Sequence, residues 1–297
     1  MYRQTAPEAL RPALAAAGLT AVAMLAFAAN SLLCRLALQQ DHIDPGSFGA
    51  IRLASGALVL ACVMRGRRQA ASTRGDWRAA LFLFAYVALF SFAYVSLAAG
   101  TGALILFGTV QLTMLAAGLM AGERFNAAGW LGMTLALFGL VVLLLPGAAA
   151  PSLAGAVLMA GAGAAWGGYS LRGRASAEAR ADPLAATAAS FLRAAPLGIL
   201  LALVFAARAH ADARGVALAV ASGALTSGLG YVVWYAALRR LTALRAAVVQ
   251  LSVPPIAAFG GVLLLGEAFT LRLGLASLAI IGGIALVLGS RNARRPS

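Results

Sequence analysis

Amides and hydroxyls set inside long apolar runs are the residues that could do chemistry in this chain. Gln111 and Gln250 each stand in the middle of such a run, and Asn30 stands in another. A side-chain amide offers two N–H donors and a carbonyl acceptor, which suits it to holding a polar solute rather than to making or breaking a bond. Thr109, Thr113 and Ser252 lie close to the two glutamines in sequence. Polar groups are costly in hydrocarbon, so each of these is a functional candidate. The same groups can instead tie helix to helix, at about 0.6 kcal/mol each. The hydroxyls can also bond back to their own backbone.

Aromatic residues form stripes. Tyr86, Phe90 and Tyr94 recur at i, i+4, i+8; Tyr231, Trp234 and Tyr235 at i, i+3, i+4; Trp166 and Tyr169 share another run. Such stripes can line a cavity and stack on apolar or cationic solutes, or serve as bundle packing or an interfacial belt. Trp77 and Trp130 open their runs and suit a belt. Pro254-Pro255 deletes two backbone donors from one run and frees carbonyls one turn earlier. Those carbonyls must face protein or a wet cavity. The pair reads as a hinge or as a packing kink.

Charged residues are sparse inside the runs. Arg35 and Arg52 fall near the outer ends, where an arginine can snorkel to water. Arg193 is deeper and needs a partner or a wet cavity, where it could grip a carboxylate. Glu123 and Glu267 suit the anchoring of short turns. No Asp or Glu falls mid-run, which weakens the case for a carboxylate proton relay. The sequence carries no HExxH, P-loop or GxSxG, so no enzyme, cofactor or metal site is expected. His42 and His210 are both assigned to outer loops.

Long helices must position these groups. Of 297 residues, 62% are hydrophobic and 11% charged, with mean hydropathy +0.89. A soluble domain carries about 25% charged residues, so the chain reads as an integral membrane protein lodged in a lipid bilayer. Ten spanning helices are predicted, at 13–38, 47–64, 77–98, 102–121, 127–146, 152–171, 184–207, 214–237, 244–265 and 271–289. Gly100-Thr101-Gly102 is expected to form the turn between the third and fourth. The net charge of +14 is all arginine and would suggest nucleic acid in a soluble protein. Here 17 of the 23 arginines fall on one side and 3 on the other. That asymmetry places both termini in the cytoplasm and excludes nucleic acid as a partner. Cys34 and Cys62 make no CxxC and no disulfide framework.

The chain repeats itself. Residues 98–145 align without a gap on 242–289, so Gly122-Glu123-Arg124-Phe125 falls on Gly266-Glu267-Ala268-Phe269. Each half, 1–147 and 148–297, holds five predicted helices. Five is odd, so the second half enters from the opposite face: an all-α membrane fold of two inverted five-helix repeats. Val110 and Gln111 occupy the places matching Pro254 and Pro255, so the halves need not bend alike.

This plan resembles the drug/metabolite transporter superfamily, and its EamA-like branch in particular. The carrying residues are Tyr94, Gly100-Thr101-Gly102-Ala103, Tyr235-Ala236-Ala237-Leu238, Pro254-Pro255 and the two Gly-Glu-x-Phe motifs. The resemblance covers nearly the whole chain. It implies a bacterial inner-membrane carrier that exports small metabolites, amino acids among them, by alternating access between the repeats. Efflux of lipophilic cations and a solute channel are the competing readings. The sequence sets neither the solute nor the oligomeric state.

Overall fold

The computed structural model describes residues 6–66, 75–122, 126–145, 150–178, 182–241, 246 and 249–292. Ten helices of eight residues or more run through them. They are α1 (Ala6–Gln39), α2 (Pro45–Arg65), α3 (Trp77–Tyr94), α4 (Ala99–Met120), α5 (Ala127–Leu144), α6 (Leu153–Glu178), α7 (Pro183–Val204), α8 (Ala213–Leu238), α9 (Val253–Leu265) and α10 (Leu271–Asn292). Eight are long and apolar enough to cross a membrane. The shorter α9 is apolar too, and α6 is diluted by glycine. No strand occurs among the described residues. Many large apolar side chains point outward, Leu81, Phe138, Leu203, Leu264 and Leu278 among them, which fits a lipid-facing surface.

The two sets of five helices pack by a common rule. Pairing each helix with the one five later makes α2–α7, α4–α9 and α5–α10 self-matching pairs, and all three pack together. The contact of α3 with α6 matches that of α8 with α1, and α4 with α6 matches α9 with α1. Glycines allow close approach: Gly132 and Gly283 leave no room for a Cβ between α5 and α10, nor do Gly163 and Gly167 between α6 and α4. The glycines of both Gly-Glu-x-Phe motifs have left-handed backbones, Gly122 at φ +88° and Gly266 at +65°. That conformation ends a helix and favours glycine, which is why the motif recurs. Residues 123–125 and the expected boundary between the halves at 147/148 lie outside the described residues.

Caps set the helix starts. Asp44, Asp76, Asn126, Asp182 and Asp212 each accept a backbone N–H in the first turn of α2, α3, α5, α7 and α8. The expected turn at Gly100–Gly102 is corrected. The chain turns at Val95–Ala98, and these glycines lie in the first turn of α4. The Glu267 carboxylate caps the Ala99 N–H at 3.0 and 2.9 Å, and so starts the helix early. Gly100 and Gly102 then pass directly against Ala258 and the Tyr94 ring.

The second half carries the irregular geometry. Within α8, Ala221–Leu229 is a π-helix, whereas its counterpart α3 is an ordinary α-helix. The expected ninth helix is interrupted at Leu251-Ser252, and α9 starts at Val253. Pro254 and Pro255 fall in its first turn, where a missing N–H leaves no intrahelical bond unmade. The counterpart α4 runs unbroken through Val110-Gln111.

Candidate functional site

A polar chamber sits where the halves meet. Its walls come from α1 (Phe27, Asn30, Ser31), α2 (Arg52), α3 (Tyr86, Phe90) and α4 (Leu106, Phe107) in the first half. The second half supplies Trp166 from α6, Thr226, Ser227 and Tyr231 from α8, and Gln250 just ahead of α9. The chamber is constricted, with a volume of about 20 Å³, room for about one water.

Six expected site residues meet there: Asn30, Tyr86, Phe90, Trp166, Tyr231 and Gln250. Four more brace them. Tyr94 packs edge-on against Phe90 and donates its hydroxyl to the Ala99 carbonyl at 3.3 Å. Tyr169 stacks on Trp166 and donates to Thr187, whose hydroxyl also meets that of Tyr235 at 2.9 Å. Trp234 packs edge-on against Phe27. Two lie elsewhere. Gln111 is buried without lining the chamber. Ser252 is exposed at the break before α9, its hydroxyl turned to the Val249 carbonyl. Two residues apart, Ser252 and Gln250 would face opposite ways even on an unbroken helix.

The π segment shapes the polar wall. A π turn shifts the backbone bond from i−4 to i−5 and widens the helix. Ser222, Thr226 and Ser227 are all buried along it. Ser222 donates to Asn30 Oδ1 at 2.6 Å, and the Thr226 hydroxyl, 3.2 Å from the same oxygen, lies closer to the Ser222 carbonyl at 2.8 Å. The Asn30 amide nitrogen donates to the Tyr86 hydroxyl at 3.4 Å. Gly223 lets α8 touch the α2 backbone at Arg52.

Arg52 is the correction that matters most. It does not snorkel; it is 1% exposed and among the largest fully buried side chains. Nη2 donates to the Tyr86 hydroxyl at 2.9 Å and Nε to the Ser227 hydroxyl at 3.3 Å. The guanidinium lies over the Phe90 and Tyr86 rings, 4.8 and 5.1 Å from their centres. Nη1 is buried without a hydrogen-bond partner. Sequence depth misled because α2 begins at Pro45, two residues early, so Arg52 sits about 10 Å into the helix. Hydroxyls on α3 and α8 then pull it inward, and no sequence spacing predicts that pairing.

Arg35 does not snorkel either. Nε meets Glu267 Oε1 at 3.3 Å, and Nη1 donates to the Tyr94 and Val95 carbonyls, both at 3.0 Å. Glu267 thus anchors helix ends, the role expected of it. Arg193 is half-buried against Trp77, its Nη1 donating to the Ala189 carbonyl at 3.0 Å.

Loops clamp the ends of the bundle. The α1–α2 and α7–α8 loops join through Asp44 N–H to the His210 carbonyl at 3.0 Å and Asp212 N–H to the His42 carbonyl at 2.9 Å. His42 Nδ1 meets Asp212 at 2.6 Å and His210 Nε2 meets Asp41 at 2.9 Å. At the opposite end Arg172 Nε meets Asp76 at 2.7 Å. Burial alone would raise the Asp76 carboxyl; hydrogen bonds from Arg172 and from the Arg78 and Ala79 amides outweigh it and hold the group below its ordinary value.

Ten helices in two matching sets around a shared polar chamber define a class of integral membrane protein. Residues 14–145 and again 153–289 match the EamA-like transporter family, and the chain belongs to that family. It is a membrane transporter of the drug/metabolite transporter fold. It is similar to an uncharacterized protein of Pseudomonas aeruginosa, 56% identical over 277 residues, which are 93% of this chain and 95% of the relative. A solved crystal structure shares the fold, with TM-score 0.65 at 22% identity over 93% of this chain and 99% of that one.

Proposed function

We propose that this chain is a secondary carrier that moves small organic solutes, amino acids in particular, outward across the bacterial inner membrane by alternating access. One observation carries the reading: a single polar and aromatic chamber takes its walls from both halves. Carriers built from inverted repeats hold solute at such a junction and expose it by rocking one half against the other. The constricted chamber fits a nearly closed state. The arginine asymmetry supports cytoplasmic termini. The break before α9 offers a bending point, so Pro254 and Pro255 are assigned to the hinge. Arg52 counts against lipophilic cations as cargo, because it sets a positive charge in the chamber and no acid lines it.

Counterflow of labelled amino acids in proteoliposomes tests this. Saturable exchange is the expected result. Linear flux without counterflow would mark a channel, and absence of solute movement across an amino-acid panel would sink the reading.

A further inference from the structure

We propose that Arg52 anchors a carboxylate, so that the solutes of this chamber are small monocarboxylates with an apolar or aromatic body, for which a free ammonium group is not required. The proposal rests on the carrier reading and names the chemistry of the same chamber.

The chamber has more donors than acceptors. Arg52 Nη1 is buried and unpartnered. The Tyr86 oxygen accepts from Arg52 at 2.9 Å and from Asn30 at 3.4 Å, which leaves its own proton directed away from both. The Ser227 oxygen accepts from Arg52 Nε at 3.3 Å, which does the same for the Ser227 proton. Arg52 Nη1 therefore lacks an acceptor, and the Tyr86 and Ser227 protons are not spent on Arg52; an oxyanion beside the guanidinium would complete the Arg52 set. An ionised donor favours an ionised acceptor over a neutral one, and the planar guanidinium matches a carboxylate better than an ammonium does.

Internal neutralisation is missing. None of the residues lining the chamber is acidic. Glu267 is held by Arg35 and the Ala99 amide, Asp76 by Arg172, and Asp212 by His42. The aromatic rings under Arg52 offset its charge only in part. One positive charge calls for one negative charge, hence a monoanion.

The chamber offers an ammonium no acid and little beyond the amide oxygen of Gln250. Asn30 Oδ1 already accepts from Ser222 at 2.6 Å. Phe90 and Tyr86 already face the guanidinium, and Trp166 stacks on Tyr231 at 5.5 Å. The remaining walls, Phe27, Leu106 and Phe107, suit an apolar body. A volume of about 20 Å³ cannot hold that body, so binding must widen the chamber.

Thermal unfolding of the purified full chain tests the proposal with acid and amide pairs: 3-phenylpropionate against 3-phenylpropionamide, and L-phenylalanine against L-phenylalaninamide. Both acids should raise Tm in the millimolar range, and neither amide should. Arg52→Gln should weaken acid binding at least tenfold while its ligand-free Tm holds or rises. Arg52→Lys keeps the charge and should fall between. Equal binding of acids and amides, unchanged acid binding in Arg52→Gln, or no binding by either acid would each overturn the assignment. Counterflow separates this from the carrier reading. Acids that bind yet never cross keep the anion site and sink the carrier. Acids that exchange as well through Arg52→Gln as through the unaltered protein keep the carrier and sink the anion site.

Discussion

Two arginines on successive helices, opposite in wiring, divide this molecule into a clamp and a chamber. Arg35 on α1 meets a carboxylate and two backbone carbonyls. Its partner Glu267 also caps α4, so the ends of α3, α4 and α9 are joined through one ion pair. Arg52 on α2 meets only neutral hydroxyls and aromatic faces, and keeps one nitrogen unpartnered. A closed circuit of charge fixes structure; an open one leaves binding energy for a ligand. Arg52 is the more buried of the two, yet it is the one with fewer partners.

The largest expected effect is at the clamp. Replacing one member of a buried ion pair strands the other, at about 3–5 kcal/mol. Glu267→Gln and Arg35→Gln should each destabilise the protein by that order, read as a large fall in Tm. The double variant should cost less than the sum, because the two changes remove the same pair. Arg52→Gln removes an unneutralised charge and should leave stability unchanged or raise it by up to about 1 kcal/mol. Equal destabilisation at Arg35 and Arg52 would erase the distinction between clamp and chamber.

A smaller contrast separates the two glutamines. Gln250 lines the chamber and Gln111 does not. Gln250→Ala should reduce exchange several-fold with little change in Tm. Gln111→Ala should lower stability by about 1 kcal/mol and leave exchange near normal. The reverse pattern in paired Tm and counterflow measurements would move the site toward α4.

The prolines sharpen the comparison between halves. Pro254→Ala with Pro255→Ala lets the helix continue through the break, as α4 does at Val110-Gln111. Binding should persist while counterflow slows several-fold, because gating suffers and recognition does not. Unchanged exchange would leave the prolines as packing features.

Much of this was legible in the sequence because it is written in period and composition. Apolar run lengths give the ten helices, and the Gly-Glu-x-Phe repeat gives the two halves, since each motif glycine holds a left-handed helix end. Aromatic spacing singles out Tyr86, Phe90, Trp166 and Tyr231, and all four line the chamber. What stayed hidden depends on partners far apart in the chain. Arg52 finds its hydroxyls 34 and 175 residues away, and Arg35 finds Glu267 across 232. The π segment left no periodic trace, because Ser222, Thr226 and Ser227 read equally well as helix glue.

The smallest expected effect lies in the loop clamp that joins the α1–α2 and α7–α8 turns, where charge is exposed and circuits are weaker than at Arg35. His210 directs Nδ1 to the Arg208 carbonyl at 3.2 Å and Nε2 to Asp41 at 2.9 Å. Two ring nitrogens facing two acceptors need two protons, so the imidazolium is favoured. The Arg208 carbonyl first, then Asp41 and Asp44, raise the group above its ordinary value of 6.5 despite slight desolvation. Asp212 moves the other way, held below 3.8 by the Gly215 amide and then by His42. A raised folded-state value means that the His210 contribution is full below pH 6.5 and is lost as pH climbs through the raised value. The Asp212 contribution is full above 3.8 and is lost only as pH falls through its lowered value. The His210 part of the clamp should therefore loosen as pH climbs through its raised value. An NMR titration of the His210 ring should give a value above 6.5, and Asp41→Asn should bring it only part of the way back, because the Arg208 carbonyl remains. A value at or below 6.5 in the unaltered protein would show that the loops meet without this charge, and that the clamp is backbone alone.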